Sequence, residues 1–99
     1  MFQKRFKEAE NTAVFTTKFV VVDRKEITKV YHHKEDGAWE FFSADIFDNI
    51  NEVVKIVGLG RILNIDNTIL ELAGLPEGYC AYRNSRNEPW SIREFNDEE

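Results

Sequence analysis

EITKVYHHKEDGAWEFFS, residues 26–43, decides the fold. Ile27, Lys29 and Tyr31 alternate with Thr28, Val30 and His32, the period of two that sends neighbouring side chains to opposite faces of a strand. Asp36-Gly37 is a strong turn signal, because glycine enters positive φ without a Cβ clash. Ala38 to Ser43 then reads as a return strand with Trp39 and Phe41 on one face and Phe42 on the other, so residues 26–43 form a hairpin.

On the N-terminal side, residues 12–22 are almost all β-branched or aromatic and read as a strand, closed by the polar turn Asp23-Arg24-Lys25. Residues 1–11 are charged, with Phe2 and Phe6 four apart, the spacing of a short helix docking a thin apolar edge or of a loose arm. On the C-terminal side, Ile46, Phe47, Ile50, Val53, Val54 and Val57 fit a helical stripe that Asp45 would cap. The β-branched density of residues 53–57, closed by Gly58, favours a short helical turn followed by a strand.

Residues 59–75 carry the clearest helical period, in Ile62, Ile65, Ile69, Leu72 and Ala73. Asp66 would restart the helix as an N-cap, and Gly74 before Pro76 would end it. Residues 79–83 and 90–95 read as a final hairpin around a polar loop. Strands, a helical segment and strands again give an α+β class: a mostly antiparallel or mixed sheet of about five to six strands with the helical segment on one side. The expectation is one domain over residues 1–99, since a chain of 99 residues buries only roughly two thirds of its unfolded surface. Asn96 to Glu99 would be a frayed acidic tail.

Composition narrows the function. A net charge of -5 argues against a general nucleic-acid binder, which needs clustered Lys and Arg to displace counterions. The single cysteine excludes a disulfide-stapled scaffold. No apolar run has the length of a signal peptide core or a bilayer span, and the expected location is the cytoplasm.

The residues that suggest chemistry have simpler readings. His32-His33 near Asp36 suggests a metal site, but neighbours on a strand face opposite ways and cannot converge on one ion. Cys80, in a strand-like run, reads as a small hydrophobe rather than a nucleophile. Asp45 and Asp48 share a helical spacing that capping explains, and Glu40 and Glu71 read as single exposed charges. Gly58-Leu59-Gly60 lacks the third glycine of a dinucleotide fingerprint, with Leu at 63. No motif for a catalytic centre, a cofactor or a metal emerges.

Residues 14–18 (VFTTK), 36–43 (DGAWEFFS) and 72–79 (LAGLPEGY), with Ala81 and Arg83, resemble a family of small bacterial domains grouped with the immunity proteins of polymorphic toxin systems, the immunity-33-like family. The likeness extends from Ala13 to Trp90. Two positions depart from the family pattern: Ala38 stands where relatives often carry an aspartate, and Asn67 follows Asp66 where relatives often have proline. The resemblance implies a non-enzymatic intracellular inhibitor that blocks a cognate toxin by binding it. Combined with 18 acidic against 13 basic residues, it implies an acidic partner-binding surface of Glu35, Asp36, Glu40, Asp45 and Asp48. Two alternatives stand beside it: a ligand-binding or enzymatic domain with a pocket of His33, Asp36 and Trp39, and a structural accessory domain.

Overall fold

The structure, a computed structural model, describes residues 5–95. Phe2 of the expected N-terminal arm and the acidic tail 96–99 lie outside the described residues. In chain order the elements are β1 (Ala13–Thr17), α1 (Lys18–Val21), β2 (Lys29–His32), β3 (Trp39–Phe42), α2 (Ile50–Val53), β4 (Val54–Gly58), α3 (Leu59–Ile65), a 3₁₀ segment (Asn67–Leu72), β5 (Tyr79–Tyr82) and β6 (Ser91–Glu94). The strands form one six-stranded sheet in the order β4-β1-β3-β2-β5-β6. It is mixed: β1 runs parallel to β3, and every other neighbouring pair is antiparallel.

The connections explain why one face is covered. After β4 at one edge, the chain must pass β1, β3 and β2 before it can lay down β5, and α3 and the 3₁₀ segment occupy that crossing. They bury Leu59, Ile62, Ile69 and Leu72 against Val14, Val30, Phe41, Trp39 and Ala81 of the sheet, joined by Val20 and Val21 from α1. Residue pairing fixes which side chains look inward: Val30 lies opposite both Phe41 and Ala81, and His32 opposite Trp39. The expected α+β class is therefore what the chain adopts, with the hairpin of residues 26–43 at its centre.

Four local expectations are corrected. The first strand stops at Thr17, not at residue 22, and Lys18–Val21 is one helical turn. Val20 and Val21 are buried, so the β-branched run marked burial on the way out of the sheet, where tertiary packing overrides strand preference. Asp45 does not cap α2: Asn49 does, its side chain accepting from the Asn51 amide, while Asp45 accepts from the Ser43 hydroxyl at 2.6 Å. Gly74 is not a left-handed helix stop. The glycines with positive φ are Gly37 at 73° in the β2–β3 turn and Gly78 at 87° before β5. Phe6 belongs to no helix, and it still docks in the core, edge-on to Trp39 at 5.0 Å. Asp66 does behave as expected, accepting from the Thr68 amide at 3.0 Å to start the 3₁₀ segment.

Candidate binding surface

Cross-strand partners share a face, so the register also defines the side without helices. One row there crosses all six strands: Ile56, Phe15, Glu40, Tyr31, Cys80 and Arg93. A second row holds Phe42, Lys29, Tyr82 and Ser91. Tyr31 is the hub, its ring 5.9 Å from Phe42, 6.3 Å from Tyr82 and 5.3 Å from Phe95 in edge-on arrangements. Cys80, opposite Tyr31 and Arg93 in the first row, is fully buried and is a small hydrophobe of this layer. Burial, and then a hydrogen bond with Tyr82, push the Tyr31 phenol well above its ordinary range, so it stays neutral at any physiological pH.

At the end of this face beside the β2–β3 turn, a shallow groove is lined by Phe15, His33, Glu35, Asp36, Ala38 and Glu40. Glu40, expected as a single exposed charge, is half-buried and pairs with His33 (Nε2 to Oε1, 2.8 Å). Asp36 also orders the turn, its Oδ1 accepting from the Ala38 amide at 3.0 Å. The pocket of His33, Asp36 and Trp39 does not form. The groove contains the first two, but alternation sends Trp39 to the core face, where it is 2% exposed.

Of the five acidic residues expected to act together, Glu35, Asp36 and Glu40 do share this groove. Asp45 and Asp48 lie beyond the opposite end of β3, separated from the turn by on the order of 20 Å at ~3.3 Å per extended residue. Their loop is not remote from the face, because Phe47 packs on Phe42 with ring centroids 6.3 Å apart. Between the two aspartates, Ile46 is 93% exposed.

The two histidines diverge as alternation requires. His32 is buried, stacked on Trp39 at 3.9 Å, and its Nδ1 donates to the Leu75 carbonyl at 2.7 Å. His33 lies on the open face. Among the described residues no group of three His, Cys, Asp or Glu side chains is placed to hold a metal. Protein purified without a histidine tag is expected to carry well under one zinc per chain by elemental analysis. One zinc per chain, lost in His33→Ala, would contradict this geometry.

Sequence reasoning passed over Phe15, Tyr31 and Tyr82 as surface residues. Phe15 joins the face only through the parallel pairing of β1 with β3, and Tyr82 only through the pairing of β5 with β2, both between strands far apart in the chain. It also passed over a buried ionic node. Asp66 Oδ2 accepts from Arg83 Nη2 at 2.7 Å, and Arg86 Nε approaches Oδ1 at 3.1 Å.

This is an α+β domain with α1, α3 and the 3₁₀ segment packed on one face of a mixed sheet and an aromatic, partly acidic opposite face. The model of the immunity protein Imm33 domain matches residues 11–93, most of the chain, and the chain belongs to that family. No curated protein and no solved structure matches it. Among the described residues no helix is long and apolar enough to cross a membrane.

Proposed function

We propose that this chain is a cytoplasmic, non-enzymatic immunity protein that neutralises a cognate toxin by binding it and occluding its working surface. The observation that carries this reading is membership of the immunity protein family over residues 11–93. Two physical features support it. The net charge of -5 favours capture of a basic partner, as in an inhibitor that takes the place of an anionic substrate. Glu35, Asp36 and Glu40 at one end of the open face, with Asp45 and Asp48 at the other, are the residues proposed to meet that partner.

The direct test is co-expression with the toxin-like protein encoded by the neighbouring reading frame. Cells are expected to survive only when this chain is present, and equal killing with and without it would end the reading. For rim charges, long-range attraction acts mainly on the association rate. Raising salt is therefore expected to slow association more than it speeds dissociation. Charge reversal at Asp45 and Asp48 together is expected to slow association by roughly tenfold at low salt. Asp48 is exposed and its reversal should change stability by no more than about 1 kcal/mol, whereas reversal of Asp45 also removes the bond from the buried Ser43 hydroxyl and should cost more, about 1–3 kcal/mol. Stopped-flow association across a salt series, with a thermal melt of each variant, measures both.

A further inference from the structure

We infer that the helix-free face of the sheet is the surface that docks the toxin, and that it receives a Lys or Arg side chain of the toxin set among apolar neighbours. This rests on the immunity reading and adds where the partner sits and what it presents. The covered face buries Trp39, Phe41 and Val30 under α3 and the 3₁₀ segment, and the groove on that side, between Arg5, Leu72, Pro76 and Ile92, holds a single carboxylate, Glu71, beside a guanidinium and so offers a cation less than the open face does. The open face keeps its aromatics only half-buried, with Ile56 63% exposed beside Phe15 and Ile46 93% exposed next to Phe47. Tyr31 and Phe42 lie in the middle of the face on β2 and β3, and Ile56 on the edge strand and Ile46 in the end loop extend the apolar surface outward, beside charge at the turn end.

Charge selects the occupant. The groove at the turn end sets three carboxylates, Glu35, Asp36 and Glu40, against one imidazole, His33. The Phe15 ring forms part of its wall, so an incoming cation meets both carboxylate oxygens and an aromatic surface. A second copy of this chain suits the face less well, because each copy brings a net charge of -5. Size is adequate for a protein partner. Six strands ~4.8 Å apart, extended by the turn and the 43–49 loop to roughly 30 Å along the strands, give about 700 Å², near the ~800 Å² per partner of a standard interface.

The test measures affinity for the neighbouring-frame toxin with four proteins: wild type, Ile56→Asp, Glu40→Lys and Ile92→Asp. Ile92 is 55% exposed and lies opposite Ala81, on the covered side, so it controls for an added charge at an exposed isoleucine. Ile56→Asp and Glu40→Lys are each expected to weaken binding by about tenfold or more, the effect of disturbing an interface anchor, and Ile92→Asp by less than about twofold. Thermal melts identify any loss that is only misfolding, and Ile56, largely in solvent, keeps the test valid should Glu40→Lys disturb the His33 pair. Wild-type affinity in a folded Ile56→Asp and a folded Glu40→Lys would overturn the assignment and leave the immunity reading standing. So would a toxin-free homodimer that Ile56→Asp dissociates. A wild-type protein that does not bind the toxin at all would remove both.

Discussion

Trp39→Ala is expected to give a chain that is unfolded or nearly so. Trp39 is 2% exposed and holds three aromatic neighbours at once: His32 stacked at 3.9 Å, Phe41 at 6.0 Å and Phe6 edge-on at 5.0 Å. Its indole N–H donates to Glu8 at 3.0 Å, which ties the segment before β1 to the sheet. Truncating a buried tryptophan costs about 3–5 kcal/mol, against the roughly 5–15 kcal/mol that holds a domain of this kind together. At about 4–8 °C per kcal/mol for a domain near this size, the melting temperature should fall by more than about 12 °C. Trp39→Phe keeps a ring in the site and loses the bond to Glu8, so a smaller loss is expected. Thermal unfolding followed by near-ultraviolet circular dichroism distinguishes these outcomes. An unchanged melting temperature in Trp39→Ala would mean that the indole does not support the core, and would release it as a candidate for partner contact.

How far the residues spoke for themselves depended on how local the physics was. The 26–43 hairpin was legible because alternation and the Asp36-Gly37 turn act within a few residues, and the structure pairs Lys29 to His32 with Trp39 to Phe42 as that reading requires. Asp66 as a cap was legible for the same reason. The run through Val20 and Val21 was misread because β-branched residues report burial as readily as strand, and only the exit route from β1 decides between them. Gly74 was misread because Ala73, the C-cap residue, and Gly74 both avoid the left-handed region, and the turn that needs positive φ comes later at Gly78. The surface was half legible. Glu35, Asp36 and Glu40 are close in sequence and share a groove, while Phe15 joins them only through the parallel contact of β1 with β3, which no local pattern encodes.

The ionic node at Asp66 gives the other large expected effect. The Asp66 and Arg83 side chains are 4% and 1% exposed, so neither charge has water to fall back on. Arg83 uses its whole guanidinium: Nε donates to the Ile27 carbonyl at 3.0 Å, Nη1 to Thr68 Oγ1 at 2.9 Å and to the Arg86 carbonyl at 3.2 Å, and Nη2 to Asp66 at 2.7 Å. Its plane also sits 4.0 Å from the Trp90 ring, so the node joins the entry to β2, the 3₁₀ segment, the end of β5 and the approach to β6. Removing one member of a buried ion pair strands the other and costs about 3–5 kcal/mol, whereas replacing both costs far less than the sum. Asp66→Ala is expected to lose that much and the cap on Thr68 with it. Asp66→Asn, which keeps an oxygen for the Thr68 amide, should lose less. Arg83→Lys should not rescue, because one ammonium cannot serve donors fixed in a planar fork. Combining Asp66→Asn with Arg83→Met should be less damaging than the two single losses added. Urea unfolding of wild type, Asp66→Asn, Arg83→Met and the double variant gives the coupling directly, and an Asp66→Ala protein within about 0.5 kcal/mol of wild type would mean that the node is ornamental. Because β5 and β6 carry Tyr82 and Arg93 of the open face, Asp66→Ala is also expected to speed amide exchange in residues 79–94 more than in β1 and β4, linking a buried charge pair to the order of the proposed docking surface.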